Sequence, residues 1–141
     1  MHEYLGSCRC GGVKLRLRSA QLPRDFQPRC DAATCDFCRE HDGVWISDPN
    51  GTLHLGADDA TRVTRFASEQ VQFHFCSRCD ELAYATFEEA PGAREVAVVR
   101  VALFEALRGV TQPTATTSFE GETIEVGKDR RLARWTPVER G

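Results

Sequence analysis

The 141-residue sequence predicts a mainly β protein, built either as a sandwich or as antiparallel sheets held together by metal. Three observations lead to this prediction. Short apolar segments alternate with polar residues, Gly- and Pro-containing turns separate them, and seven cysteines are grouped at metal-ligand spacings. Because the chain shows no internal repeat, low-complexity tract or linker, we expect one domain over residues 1–141.

The strand predictions follow from side-chain alternation, since neighbouring residues of a strand point to opposite faces. The predicted turn at 48–51 combines Pro49, which restricts φ, with Gly51, which accepts positive φ. A second turn is marked by Pro91 and Gly92. The predicted strands are 13–18, 44–47, 52–55, 63–66, 71–75, 82–87 and 95–101.

The last third of the chain is less regular. Residues 102–107 fit a short helix but are ambiguous, and 111–118 read as an extended connection of low apolar density. The segment 128–134 is basic, and we expect it to pack through Trp135.

Composition narrows the class of function. A net charge of −3 offers no basic face for nucleic acid, and no apolar run is long enough to cross a bilayer. The first residues have neither the basic region nor the apolar core of a signal peptide. We therefore expect a cytoplasmic protein in a reducing compartment, where disulfides are rare.

The cysteines form three groups. One is a C-x-C pair, one is a C-x-x-C pair, and the central group ends in C-x-x-C. An odd number cannot pair completely in intramolecular disulfides, whereas four plus three suits a closed zinc site and an open one. Disulfides and inert core thiols are the weaker alternatives. The groups are Cys8 with Cys10, Cys76 with Cys79, and Cys30 with Cys35 and Cys38.

The two outer pairs are assigned to one structural zinc. Cys8 and Cys10 would share one face of a strand, and Cys76 and Cys79 would flank a tight turn. Closing the intervening loop costs a few kcal/mol, about (3/2)RT ln n, against on the order of 10–16 kcal/mol from structural zinc. Two separate sites or a different pairing remain as alternatives. Neighbouring Arg9 and Arg78 would offset thiolate charge or simply be solvated.

The central group would bind a second zinc. Three thiolates, Cys30, Cys35 and Cys38, leave the fourth tetrahedral position for water or a substrate thiolate. Arg39 is the candidate contact for an anionic thiol. His41 is a candidate proton relay, outer contact or fourth ligand, although a surface histidine is the more common outcome.

The sequence resembles the glutathione-dependent formaldehyde-activating family, which includes centromere protein V. The resemblance rests on segments 6–13 (GSCRCGGV), 35–39 (CDFCR) and 75–79 (FCSRC), and it covers roughly residues 6–104, which leaves 105–141 as a C-terminal extension. Two positions depart from the family pattern. Ala33 stands where the central motif usually has its first cysteine, and Asp80 stands where glycine usually follows the last one.

The resemblance implies a β-tent of stacked antiparallel sheets, akin to Mss4. It also implies that the outer four cysteines hold a structural zinc and that the central three hold a catalytic zinc. The family's reaction joins glutathione and formaldehyde as S-hydroxymethylglutathione, which is carbon–sulfur lyase chemistry.

The leading hypothesis is therefore an enzyme of this type, acting on glutathione or on another thiol adduct of a small aldehyde. Its partners would be these small molecules, with no nucleic acid and no membrane, and a homodimer is compatible with the chain. The main rival is a non-catalytic zinc fold that serves as a scaffold or interaction module. A redox sensor or zinc buffer is a third, less favoured hypothesis.

Overall fold

The computed structural model describes residues 1–26, 28–31, 44–56, 61–65, 71–90, 92–108, 115–117 and 123–140. These residues contain eleven strands, one α-helix and three 3-10 turns. The 3-10 turns are Pro23–Asp25, Val101–Leu103 and Glu105–Leu107. The other elements are β1 (His2–Ser7), β2 (Lys14–Ser19), β3 (Arg29–Asp31), β4 (Trp45–Ile46), β5 (Thr52–Leu55), β6 (Thr61–Arg65), β7 (Gln72–Cys76), β8 (Leu82–Glu88), β9 (Glu95–Arg100), β10 (Ala115–Thr117), α1 (Ile124–Arg134) and β11 (Thr136–Arg140).

The strands pair in the order β1-β2-β5-β11-β9-β4-β3-β10, and a branch β6-β7-β8 joins at β9. The branch arises because β9 has three partners. One edge of β9 pairs with β11 at its start and with β4 at its end, and the other edge pairs with β8. The fold is thus mainly β, as predicted. The sheet is mixed, however, because β11 runs parallel to β5 and β10 runs parallel to β3, whereas we expected antiparallel pairing throughout.

Two apolar clusters lie on opposite sides of β8 and β9. Alternation along β9 sends Ala97 and Val99 into one cluster and Val96 and Val98 into the other. The first six residues of β8 are all buried. Because both faces of these strands are covered, their sequences are nearly continuous apolar runs. They form the centre on which the flanking strands are built.

The C-terminal segment differs from the expectation. Residues 102–107 fall in two 3-10 turns and not in a continuous helix. A helix instead forms at α1, where the Thr123 hydroxyl accepts a hydrogen bond from the Val126 N–H at 3.2 Å. Trp135 follows it and is buried in the second apolar cluster. This short helix lacks the length and apolar character needed to cross a membrane, as do the other helical turns that are described.

Candidate metal centre

The first cysteine pair lies in the turn that joins β1 to β2. The Cys8 N–H donates to the Val13 carbonyl at 3.1 Å, and the Gly11 N–H donates to the Cys8 carbonyl at 3.1 Å. Gly11 has φ +76°, a left-handed conformation that glycine adopts without steric cost. We expected Cys8 and Cys10 to share one face of a strand. The expectation was wrong, because the chain has already left β1 and reverses at these residues.

The second pair lies where β7 turns into β8. The Asp80 N–H donates to the Cys76 carbonyl at 2.8 Å, and the Cys76 N–H donates to the Glu81 carbonyl at 2.9 Å. Asp80 has φ +62°. Asp tolerates this left-handed conformation better than most residues, which explains how it replaces the glycine usual in the family pattern. The turn brings Cys79 back beside Cys76.

The four sulfur atoms converge. All lie within 4.8 Å of one another, with 3.7 Å between the Sγ atoms of Cys8 and Cys10 and 3.6 Å between those of Cys10 and Cys76. All four are free thiols. A tetrahedral zinc with Zn–S bonds of about 2.3 Å separates its sulfur ligands by about 3.8 Å. The four thiols, including Cys79, therefore fit a tetrathiolate metal site.

Backbone amides point at the sulfurs. Val13 N–H lies 3.3 Å from the Cys8 Sγ, Gly12 N–H lies 3.3 Å from the Cys10 Sγ, and Arg78 N–H lies 3.4 Å from the Cys76 Sγ. Such contacts stabilise thiolates, which are the form that binds metal. The turns supply them through the same backbone that positions the cysteines.

The close approach also explains Gly12. A Cβ at this position would lie 3.2 Å from the sulfurs of both Cys10 and Cys76. That is tighter than ordinary van der Waals contact, so any side chain would push on two ligands at once. The absence of a side chain lets the two turns meet.

The thiols differ in their acidity. The Gly12 amide favours the Cys10 thiolate, but desolvation and the neighbouring sulfurs outweigh it and raise the pKa of Cys10 to about 11. Desolvation opposes the Cys79 thiolate, but amides of Glu81 and Cys10 and the adjacent sulfurs outweigh it and lower the pKa of Cys79 to about 6. A metal that takes up all four thiolates must therefore release protons, so its affinity depends on pH.

A carboxylate joins the two turns. Glu81 Oε1 accepts a hydrogen bond from the Arg9 N–H at 2.6 Å, and its Oε2 accepts one from Arg100 Nη1 at 2.8 Å. Arg100 also donates to the Leu82 carbonyl at 3.2 Å, and its side chain is only 9% exposed. Sequence reasoning did not find Glu81 or Arg100. The position of Glu81 just after the second cysteine pair was the available signal, whereas nothing marked Arg100 within an apolar strand.

Arg9 and Arg78, which lie within the cysteine pairs, contact the opposite turn or a sulfur through hydrogen bonds in addition to carrying positive charge. Arg9 Nη2 donates to the Cys79 carbonyl at 3.1 Å while most of its side chain stays exposed. It therefore ties the first turn to the second through the backbone. Arg78 contributes its amide to the Cys76 sulfur, and its side chain passes close to Gly12.

The predicted second site falls largely outside the described residues. Cys35, Cys38, Arg39 and His41 lie in the range 32–43, which the structure does not describe. The backbone of Cys30 lies in β3, opposite Thr116 of β10. Trp45, which pairs with Arg29 across β3 and β4, is buried and tilted against Phe73 at 6.0 Å, so it is a core tryptophan.

Comparison with known families agrees with this geometry. A family model described as "Glutathione-dependent formaldehyde-activating enzyme" matches residues 3–121. The chain belongs to this family. The match includes all seven cysteines, so the four-sulfur centre lies within the matched part of the chain.

Solved structures add support for the fold. A crystal structure of a Rhodobacter sphaeroides protein from a structural genomics programme is similar, with 19% identity and a TM-score of 0.56. The similarity covers 80% of this chain and 99% of the Rhodobacter chain. At this identity the similarity concerns the fold alone. A comparison with curated proteins found no significant match.

Proposed function

We propose that the protein is a zinc-dependent enzyme of carbon–sulfur lyase type, which joins glutathione or a similar thiol to formaldehyde or another small aldehyde. The observation that carries the proposal is the four-sulfur centre, set within a chain that belongs to the formaldehyde-activating family. We further propose the family's finer architecture, a β-tent akin to Mss4, with the whole chain as one domain. The insertion of β11 between β5 and β9 supports including the C-terminal segment.

The four-sulfur centre is proposed as the structural zinc site. Four thiolates complete a tetrahedral shell, so no position is left for a substrate. The site joins the β1–β2 turn to the β7–β8 turn, which are far apart in sequence. Its proposed role is therefore to hold these two turns together, and the chemistry is proposed to take place elsewhere.

The reaction is proposed to take place at the central group, Cys30, Cys35 and Cys38. Zinc bound by these three thiolates would keep one coordination position open and supply a Lewis acid. Cys30 is held by the backbone pairing of β3, which fits a rigid support for one ligand. This placement is compatible with the wider spacing between Cys30 and Cys35 that departs from the family pattern.

The proposed bond changes are simple. The thiol sulfur adds to the aldehyde carbon, the C=O π bond breaks, and the proton lost by the thiol ends on the aldehyde oxygen. Arg39 is proposed to bind a carboxylate of the thiol substrate, because glutathione is anionic. His41 is proposed to carry the proton between sulfur and oxygen, since histidine titrates near neutral pH.

Metal content tests the two-site arrangement. We expect two zinc ions per chain in the wild type, one in Cys35→Ser, and loss of the structural ion in Cys76→Ser together with a large drop in stability. Plasma emission spectroscopy on protein purified without chelators gives the stoichiometry. One zinc in both wild type and Cys35→Ser would contradict the catalytic-zinc proposal and leave the structural site intact.

Activity requires an assay that separates catalysis from the spontaneous reaction. With 13C-formaldehyde and glutathione at equilibrium, exchange NMR measures the rate at which the adduct forms and breaks. We expect wild-type protein to accelerate exchange in proportion to its concentration, and Cys35→Ser to show only the uncatalysed rate. Cys35→Ser should keep the wild-type unfolding midpoint, so that lost activity is not lost structure. No acceleration by wild-type protein containing two zinc ions would contradict this substrate pair.

A non-catalytic scaffold is the second candidate. The observation that favours it is that the four-sulfur centre is closed, and it would produce most of the family signal alone. This candidate predicts one zinc per chain and no acceleration of exchange, so the same two measurements distinguish it from the enzyme. We also propose a cytoplasmic location, because the four thiols are free and suit a reducing compartment.

A further inference from the structure

A cleft of about 590 Å³ opens on the outer face of β1, β2, β5 and β11. Four of its lining residues form one row across these strands, because Leu5 pairs with Arg16, Arg16 with His54, and His54 with Glu139. The volume lies within the range of small-molecule sites. The four cysteines of the metal centre are not among the described residues that line this cleft, so its chemistry is separate from that centre.

The cleft is cationic although the protein as a whole is acidic. In the part of the chain that the structure describes, Lys14, Arg16 and Arg140 line it together with one carboxylate, that of Glu139. Arg140 is already engaged by a bidentate pair with Glu95, at 2.8 and 2.9 Å. Among the described lining residues, cationic side chains therefore outnumber carboxylates. A concave surface of one sign concentrates the field and attracts ligands of opposite charge.

The partners of the remaining polar groups point to Arg16 as the anchor. Glu139 Oε2 lies 3.0 Å from His54 Nδ1, so this carboxylate has a partner of its own. The guanidinium of Arg16, by contrast, makes no hydrogen bond or ion pair with any of the residues that the structure describes. Leu5 beside it is 68% exposed and offers an apolar wall. The row therefore places an available fork of N–H donors next to an apolar surface.

We propose that this cleft binds a small organic carboxylate with an apolar body. The carboxylate pairs with the Arg16 guanidinium, whose planar fork matches two carboxylate oxygens. The apolar part lies against Leu5.

Matched probes test the proposal on the zinc-loaded protein. 4-Phenylbutyrate carries a carboxylate on an apolar body, and 4-phenylbutan-1-ol is its neutral counterpart. We expect 4-phenylbutyrate to shift the methyl NMR signals of Leu5 and Leu55 in a saturable way, with a Kd near or below about 1 mM. The alcohol should bind at least about tenfold more weakly, because it cannot form the charged pair.

Two variants locate the charge. Arg16→Gln should weaken 4-phenylbutyrate binding about tenfold. Arg18→Gln is the matched control, because Arg18 is exposed on the same strand and the same face but does not line the cleft. It should leave binding unchanged. Both sites are exposed, so equal unfolding midpoints would show that neither change disturbs the fold.

The proposal would be overturned if 4-phenylbutyrate and 4-phenylbutan-1-ol bound equally well, or if Arg16→Gln and Arg18→Gln weakened binding equally. It would also be overturned if binding of 4-phenylbutyrate did not saturate by about 10 mM, a concentration that allows for the weak affinity of small ligands. Glutathione–formaldehyde exchange should be unchanged in Arg16→Gln. Carboxylate binding therefore tests the cleft, exchange tests the proposed enzyme, and failure of one proposal can be distinguished from failure of the other.

Discussion

The contacts of Glu81 predict that Glu81→Ala destabilises the protein by about 3 kcal/mol, near the lower end of the cost of breaking a buried ion pair. The change removes the acceptor for the Arg9 amide and the carboxylate partner of Arg100. The side chains of Glu81 and Arg100 are 17% and 9% exposed, so water replaces the lost contact poorly.

The magnitude follows from the two contacts. Removing one partner of a buried ion pair costs about 3–5 kcal/mol. The Leu82 carbonyl still accepts from Arg100, which reduces that cost. The Arg9 amide is at an exposed position, so water can satisfy it and it adds little. Glu81→Gln keeps an oxygen acceptor and should cost about half as much as the alanine change, within the range for a hydrogen bond to a charged group.

Urea unfolding followed by tryptophan fluorescence, at a fixed free zinc concentration, measures the effect. The matched control is Asp80→Asn, which removes the neighbouring but exposed ion pair between Asp80 and Arg62. Asn also tolerates the left-handed backbone at this position. Exposed pairs contribute little, so we expect a loss of at most about 0.5 kcal/mol.

Zinc affinity gives a second readout, because Glu81 links the two cysteine turns. Chelator competition should show that Glu81→Ala binds zinc more weakly than Asp80→Asn does. The reasoning would be refuted if the two variants had the same unfolding free energy and the same zinc affinity. In that case the carboxylate would be a surface group despite its contacts.

Three further predictions concern packing, pH and thiol reactivity. Gly51→Ala should lower the free energy of unfolding in urea by about 2–3 kcal/mol, because the new Cβ would lie 2.4 Å from the Arg18 backbone carbonyl oxygen and overpacking costs energy of this order. An unfolding midpoint equal to that of the wild type would contradict the close approach. Burial lowers the pKa of His74 to about 4, from an ordinary 6.5. The unfolded chain therefore binds more protons below pH 6.5, and stability present above that pH should fall by up to about 3 kcal/mol as pH decreases to 4. His74→Gln should flatten this slope in unfolding curves, and an unchanged slope would place its origin elsewhere. In freshly demetallated protein at pH 7, iodoacetamide should label Cys79 before Cys10, although Cys10 is the more exposed, because their pKa values are about 6 and about 11. Peptide mass spectrometry gives the order, and faster labelling of Cys10 would show that exposure dominates.

Local patterns were sufficient for many of the strands and for the grouping of the cysteines. Alternation of apolar and polar residues placed β2, β5, β7, β8 and β9 within a residue or two of their observed bounds. Side-chain direction in a strand repeats every two residues, so a short window of sequence contains this signal. The turn at 48–51 was also predicted, and the Gly51 N–H donates to the Asp48 carbonyl at 3.0 Å. The expected reason for Gly51 was wrong, because its φ is not positive and it is instead a Cβ that the Arg18 carbonyl would exclude.

The helix α1 and the strands β10 and β11 were not predicted. Their apolar residues are few, and they acquire their structure by packing against elements distant in sequence. β11 shows this most clearly, because it pairs parallel to β5 and antiparallel to β9 at once. No pattern within a five-residue strand specifies two partners.

The sequence by itself determined that four cysteines occur as two closely spaced pairs, each able to hold two ligands of one metal. Only the tertiary structure decided how the pairs meet. It placed Cys8 and Cys10 in a turn instead of a strand, brought the Sγ atoms of Cys10 and Cys76 to 3.6 Å, and joined the turns through Glu81 and Arg100. The physical reason is range. Backbone and side-chain preferences act over a few residues, whereas contacts between segments dozens of residues apart depend on how the whole chain packs.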